Sequence, residues 1–206
     1  MWPVNAVWDW HCGNPEGLFY NLRYFLPPLA ARYGNSTSAA QLLYRAQLAT
    51  YESHRAMFEA YSRNKYTSTG VIQWMFNNAW PENIWHLFDS YMTQPSTYWA
   101  TKKANENFHL MYSYNDHSIW FVNSLYKAVE GLSASLETRH FVNGSLIEQQ
   151  NISVAGGPDS TAQVAQLHAP PPHVEVFLVV LSLYKGDALL TDNWYWVANP
   201  MDKLDW

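Results

Sequence analysis

The sequence predicts two unlike halves, a helix-rich α/β portion through about residue 106 and an all-β portion after it. Two observations carry this reading. Before residue 106 the apolar residues recur at helical spacing, except for one short and almost continuously apolar run at 70–76. From Phe108 onward the chain turns into short β-prone segments punctuated by Gly, Pro, Asn and Asp.

In the first half, Ser38-Ala39-Ala40-Gln41 has the spacing of a capping box, in which a serine and a glutamine three residues later satisfy each other's free backbone donors. It predicts a long helix through Leu42, Ala46, Ala49, Tyr51, Ala56, Phe58, Ala60 and Tyr61, ending at Lys65. Glu52 and Glu59 stand three and four residues from Arg55, a spacing that predicts a solvated, ion-paired helix face. Gly70-Val71-Ile72-Gln73-Trp74-Met75-Phe76 reads as a strand at about 69–76 buried on both faces, as in a parallel sheet or barrel. A polar and aromatic loop follows, Asn77-Asn78-Ala79-Trp80-Pro81, then helical stretches at Ile84–Met92 and Tyr98–Glu106.

In the second half, seven strands are expected at 108–114, 118–124, 132–141, 146–154, 162–167, 174–184 and 188–197. Turn signals separate them at Asn115-Asp116-His117, Asn143-Gly144, Gly156-Gly157-Pro158, Pro170-Pro171-Pro172 and Gly186-Asp187. Seven short strands in about 100 residues predict an antiparallel β-sandwich of immunoglobulin type.

Composition narrows the chemistry. Charged residues make up 14% of the 206 residues and aromatic residues 17%, with 11 Trp and 14 Tyr. Trp and Tyr join a large apolar face to one hydrogen-bonding handle. That pairing suits sugar rings, although a Trp-rich core would also need it. The formal charge is −5 and no basic stripe exists beyond Lys102-Lys103, so a nucleic-acid partner is not expected. The longest apolar run, Val174–Tyr184, is interrupted by Glu175 and Ser182 and is too short to span a bilayer. Met1-Trp2-Pro3 does not open a signal peptide. The tripeptides beginning at Asn35, Asn143 and Asn151 would accept glycans if the protein that carries this chain is extracellular.

No self-contained catalytic motif is present. The sequence lacks a G-x-S-x-G elbow, a P-loop, an H-E-x-x-H pair and paired cysteines, and its eight His lack ligand spacing. Cys12 reads as structural, and no metal or organic cofactor is expected. Asp9, Glu16, Glu82 and Asp89 supply carboxylates, but nothing in their spacing faces any two of them across a bond, as glycoside hydrolysis requires. The strand-to-loop element at 73–81 is the candidate site. A Trp at the C-terminal end of a buried strand, followed by two Asn and a second Trp, would offer a stacking surface and amide hydrogen bonds. On spacing alone, packing inside a barrel explains Trp74 equally well.

The stretch RAMFEAYSRNKYTSTGVIQWMFNNAWPENIWH, within Ala46–Trp85 and its flanks, resembles the last barrel segment of glycoside hydrolase family 2 exo-β-D-glucosaminidases. There a Trp-x-x-Asn-(Asn/Asp)-x-Trp pattern closes a (β/α)₈ barrel, and Trp74, Asn77, Asn78 and Trp80 match it position by position. Trp2–His11 resembles the segment after the family's nucleophile strand, while Thr101–Ala104, His109–Tyr114 and Leu204-Asp205-Trp206 continue the likeness into its β-sandwich. The resemblance implies that 1–106 ends a TIM barrel and 107–206 forms an immunoglobulin-like domain. It implies removal of terminal β-1,4-linked D-glucosamine from chitosan oligosaccharides, with Trp74, Asn77, Asn78 and Trp80 as substrate-binding residues. It also implies that both catalytic carboxylates lie upstream, so that the chain alone is silent. A β-mannosidase or endo-β-mannosidase of the same family, or a non-catalytic carbohydrate-binding module, is the alternative.

Overall fold

The structure is a computed structural model that describes residues 2–12, 20–168 and 174–198. The described residues divide into two compact units. One takes in the chain up to Phe58 together with Val71–Ala104, and the other takes in Glu59–Gly70 and the chain from Asn105 onward.

The first unit contains helices α1 (Ala6–Trp10), α2 (Leu26–Tyr33), most of α3 (Ala39–Arg63) and α4 (Ser96–Ala104), with a 3₁₀ turn at Leu22–Tyr24. The capping-box reading of α3 holds with one adjustment. Ser38 Oγ accepts from Gln41 N at 3.2 Å, but Gln41 Oε1 reaches back to Thr37 N at 2.8 Å. Helix α2 ends at Gly34, whose φ of 78° lies in the left-handed region that favours glycine at a helix C-terminus.

Three expectations are corrected here. Residues 69–76 do not form a buried strand; the segment has no ladder partner, and Ile72, Trp74 and Phe76 are exposed. A strand buried on both faces needs hydrogen-bonding neighbours and covering helices, and among the described residues none pairs with it in a ladder. Ile84–Met92 is not helical but an irregular segment closed by a turn in which Asp89 Oδ1 accepts from Tyr91 N and Thr93 N. An aspartate bonding nearby backbone donors competes with a helix, and here the turn prevails. Glu52, Arg55 and Glu59 are buried rather than solvated. Glu52 receives two bonds from Arg32, at 2.9 and 2.5 Å, and one from Tyr33 Oη at 2.6 Å. Helical spacing placed these residues on one face without revealing that this face is covered.

The second unit is a sandwich of two antiparallel sheets. Its strands are β1 (Phe108–Tyr112), β2 (Ser118–Asn123), β3 (Val129–His140), β4 (Leu146–Gly156), β5 (Ser160–Gln166), β6 (Val176–Lys185) and β7 (Ala188–Ala198). One sheet has the order β1-β2-β5 and the other β4-β3-β6-β7. All seven expected strands are present within a few residues of their predicted limits. Alternation along them supplies the core: Leu110, Tyr112, Ile119 and Phe121 from one sheet meet Leu132, Leu136, Val179, Leu181, Leu183, Tyr195 and Val197 from the other. Burying each large apolar side chain contributes about 1.5–3 kcal/mol before the opposing chain entropy.

Edge strands β1 and β7 belong to different sheets and are joined by polar side chains. Asn193 Nδ2 donates to Leu110 O at 3.2 Å, and Glu59, at the C-terminal end of α3, enters the same junction. Its Oε1 is 2.8 Å from His109 Nε2, 3.0 Å from Asn193 Nδ2 and 2.7 Å from Tyr195 Oη. Further out, Lys65 Nζ and Tyr66 Oη both donate to the Asp159 carboxylate, which they hold below the usual carboxylate range.

Candidate functional site

Residues 71–95 form an irregular span held by backbone and side-chain bonds rather than by a ladder. Phe76 O accepts from Leu87 N and Phe88 N at 3.1 and 3.0 Å, and Asn77 bridges Phe88 in parallel. The Phe76 ring packs on Phe88, and Phe88 packs on Tyr98 of α4, with centroids 4.9 and 5.2 Å apart. This apolar ladder fixes the stem from which the candidate residues project.

Trp74 is 72% exposed. Its backbone is clamped, since Trp85 Nε1 donates to Trp74 O and Gln73 Nε2 donates to Trp85 O at 3.0 Å. The indole is thus a solvent-facing surface on a restrained main chain. Asn77 is exposed, whereas Asn78 is 6% exposed and its Oδ1 has no hydrogen-bond partner among the described residues. A buried amide oxygen left unpaired costs about 1–3 kcal/mol. His86, 2% exposed with neither ring nitrogen bonded, stands in the same condition; burial lowers its pKa.

Trp80 is 37% exposed and donates Nε1 to Glu82 Oε1 at 3.0 Å. It belongs to an aromatic group that sequence reasoning missed. The Trp10 and His11 rings lie 5.2 and 5.3 Å from Trp80. His11 Nδ1 meets Pro81 O at 2.8 Å, and because a carbonyl only accepts, Nδ1 carries the proton there. Asn83 completes the join, with its N donating to His11 O at 2.6 Å and its Nδ2 to Trp8 O at 3.2 Å. Nothing in a separation of 70 residues between His11 and Pro81 signals this contact. The one visible hint is the density of aromatics in Trp8-Asp9-Trp10-His11.

The carboxylates of this unit are engaged in structure. Asp9 Oδ1 accepts from Leu22 N at 3.1 Å, Glu82 holds Trp80, and Asp89 closes its turn; Glu16 lies outside the described residues. Cys12 is buried beside Trp8 O, and burial together with Asp9 raises its pKa, which suits a structural thiol. Among the described residues no three His, Cys, Asp or Glu are grouped to hold a metal ion, and no helix is long and apolar enough to cross a membrane. What the surface offers is a set of exposed indoles beside amides, an arrangement suited to stacking and hydrogen bonding rather than to bond cleavage.

Relatives align with this chain across both units. An exo-β-D-glucosaminidase of Streptomyces avermitilis is 37% identical over all of this chain and 24% of its own length. That of Amycolatopsis orientalis is 35% identical over all of this chain and 20% of its own length. The chain is homologous to the exo-β-D-glucosaminidases throughout.

Residues 115–202 match the family described as the mannosidase Ig/CBM-like domain, in agreement with the two-sheet sandwich. The crystal structure of the Amycolatopsis orientalis exo-chitosanase superposes with a TM-score of 0.84 at 30% identity, covering 95% of this chain and 25% of that one. A single-residue variant of that enzyme has been solved in complex with PNP-β-D-glucosamine. A β-D-mannosidase of Dictyoglomus thermophilum shares the fold, with a TM-score of 0.69 at 16% identity. The chain spans about a quarter or less of the length of these glucosaminidases.

Proposed function

We propose that this chain is the C-terminal region of a retaining family 2 glycoside hydrolase that removes terminal β-1,4-linked D-glucosamine from chitosan oligosaccharides. The observation that carries the reading is the end-to-end homology to exo-β-D-glucosaminidases at 35–37% identity. The exposed Trp74 and Trp80, with Asn77 and Asn78 between them, support it.

In this reading the segment at about 69–76 supplies the last strand of a (β/α)₈ barrel when the remainder of the parent surrounds it, residues 77–81 form the loop after that strand, and the sandwich follows in the chain. The exposure of Ile72, Trp74 and Phe76 is what an unpaired barrel strand would display. Trp74 stacks beneath the sugar ring, Asn77 and Asn78 bond its hydroxyls, and Trp80 limits the site laterally. The nucleophile and acid/base carboxylates, about 5 Å apart in a retaining enzyme, come from outside the chain. The reaction is a double displacement through a glycosyl-enzyme, and the parent is extracellular. The three sequon asparagines Asn35, Asn143 and Asn151 are exposed, which agrees with that location.

The test is an assay of the longer protein containing this chain on p-nitrophenyl β-D-glucosaminide and on the corresponding β-mannoside. Preference for the glucosaminide is expected; preference for the mannoside overturns the substrate assignment, and robust turnover by the 206 residues alone overturns the placement of the carboxylates.

A further inference from the structure

The aromatic group around Trp80 is a corner with polar acceptors along it. Trp10 ends α1, whose first turn is capped by the Asn5 side chain accepting from Val7 N. Asn83 ties that helix to the loop after Trp80 through its bond to Trp8 O. The Trp10 ring stands at 84° to His11 and 71° to Trp80, whereas His11 lies over Trp80 at only 32°. One indole thus rises nearly perpendicular to a stacked pair. Trp10 is 70% exposed against 37% for Trp80, so exposure increases outward from the motif residue.

Two side chains give this corner its polar chemistry. His11 Nδ1 carries the proton bonded to Pro81 O, which leaves Nε2 of the neutral ring as an acceptor. Glu82 is half-buried, and its Oε1 receives the Trp80 indole N–H at 3.0 Å, so the carboxylate is held against the corner. A carboxylate can accept about four hydrogen bonds, and among the described residues no ion pair engages Glu82. His86 lies within electrostatic reach of it, but burial favours the neutral form of that ring. The charge of the corner is therefore negative.

We propose that Trp10, His11 and Glu82 form the subsite for the leaving sugar, the second unit of an amino-sugar chain whose terminal unit lies at Trp74. The inference rests on the proposed function and deepens it. An enzyme that removes terminal sugars encloses one unit, and the rest of the chain passes over the rim of the pocket. Trp80 is that rim in the proposed reading, and Trp10 extends it at a centroid distance of 5.2 Å. The C–H face of the leaving sugar stacks on Trp10. One of its hydroxyls donates to His11 Nε2, and its protonated amine faces Glu82. The combination of indole, neutral acceptor and carboxylate selects an ammonium-bearing sugar over an N-acetylated one.

The experiment uses the longer protein that contains this chain, assayed at slightly acid pH on three substrates. These are the β-1,4-linked glucosamine disaccharide, the same disaccharide N-acetylated on its reducing-end unit, and methyl β-D-glucosaminide, whose leaving group has no ring to stack. The readout is kcat/KM for a disaccharide divided by kcat/KM for the methyl glycoside, a ratio that a purely structural role does not move. Trp10→Ala should lower this ratio for the glucosamine disaccharide at least about tenfold, because binding of the leaving sugar contributes to the transition state. The unsubstituted protein should prefer the free-amine disaccharide to the acetylated one. Glu82→Gln, which keeps an acceptor oxygen for the Trp80 indole, should erase that preference, and it decides the matter if Trp10→Ala does not fold. A ratio unchanged by Trp10→Ala, or an amine preference that survives Glu82→Gln, overturns the subsite and leaves the parent's reaction standing. A parent inactive on all three glucosaminides overturns the proposed function and the subsite with it.

Discussion

The Glu59 carboxylate accepts a 2.7 Å hydrogen bond from the Tyr195 hydroxyl, and both residues are almost fully buried. Through this contact the C-terminal end of α3 is bound to β7 at the junction where the two sheets of the sandwich meet. His109 and Asn193 converge on the same carboxylate oxygen. A helix face that would ordinarily meet solvent thus carries the polar centre of a β-domain.

Glu59→Ala should therefore destabilise the sandwich strongly. Its Oε1 meets three buried polar groups, and each buried donor left unsatisfied by its removal costs about 1–3 kcal/mol. The loss should read as a lowered midpoint in denaturant unfolding of the 206-residue chain. Glu59→Gln, which keeps one acceptor oxygen and the side-chain length, should cost clearly less. Equal and small losses in both variants would mean that the junction is held by apolar packing alone.

Gly156 at the end of β4 predicts a steric effect of a different origin. A Cβ built there would lie 2.9 Å from Phe121 Cε1, a ring that is 1% exposed in the core. Gly156→Ala must displace that ring, and overpacking of this kind costs about 1–3 kcal/mol. Gly131, where a Cβ would meet nothing within 4 Å but φ is +70°, serves as the contrast. Gly131→Ala should be destabilising through backbone strain alone, so the compensating substitution Phe121→Leu should partly rescue Gly156→Ala and leave Gly131→Ala unimproved.

The sandwich was readable because its information is local. Period-two alternation in Leu132-Ala134-Leu136 and Val179-Leu181-Leu183, with turns such as Asn143-Gly144 and Gly186-Asp187, marks strands without reference to the rest of the chain. The first unit was harder because its decisive contacts are long-range. The apolar run at 70–76 has the composition of a buried strand, yet composition does not supply the neighbours that bury it. Glu52 and Arg55 have surface-helix spacing, and only the tertiary position of Arg32 and Tyr33 makes that face an interior one. At the candidate site, Trp74 and Trp80 were legible from their motif, whereas Trp10 and His11 joined Trp80 across most of the unit.

The buried His86 and the half-buried His54 set a pH dependence. Burial lowers the pKa of His86 and of His54, in each case as the largest cause. The folded state thus holds both neutral at a pH where the unfolded chain, with an ordinary His pKa of about 6.5, begins to bind protons. When the unfolded state binds more protons, stability rises with pH. The contribution is complete above about pH 6.5 and is lost as pH falls through the depressed folded values. Melting temperature should fall between pH 7.5 and pH 5, and His86→Phe should flatten that slope. A slope unchanged in both His86→Phe and His54→Phe assigns the pH dependence to carboxylates instead.

Trp74 gives the most discriminating pair of measurements. In the 206-residue chain its indole is 72% exposed, and among the described residues only its backbone carbonyl is engaged, by Trp85. Substituting an exposed side chain away from any cap or buried network usually changes stability by no more than about 0.5 kcal/mol. Trp74→Ala should therefore leave the melting temperature of this chain nearly unaltered. If Trp74 holds its proposed place beneath the reacting sugar in a longer parent, the same substitution removes aromatic surface from a ring that flattens toward an oxocarbenium-like transition state. There kcat/KM on a β-D-glucosaminide should fall about 10²-fold or more, a loss of roughly 3 kcal/mol in transition-state binding. Trp74→Phe in the parent separates stacking from packing, because it keeps an apolar ring while shrinking the face offered to the sugar. Activity should decline under Trp74→Phe well before the parent's melting temperature does. If the melting temperature drops and kcat/KM holds, Trp74 is a packing residue of the barrel and the stacking role passes to another indole, with Trp10 and Trp80 the first to be substituted.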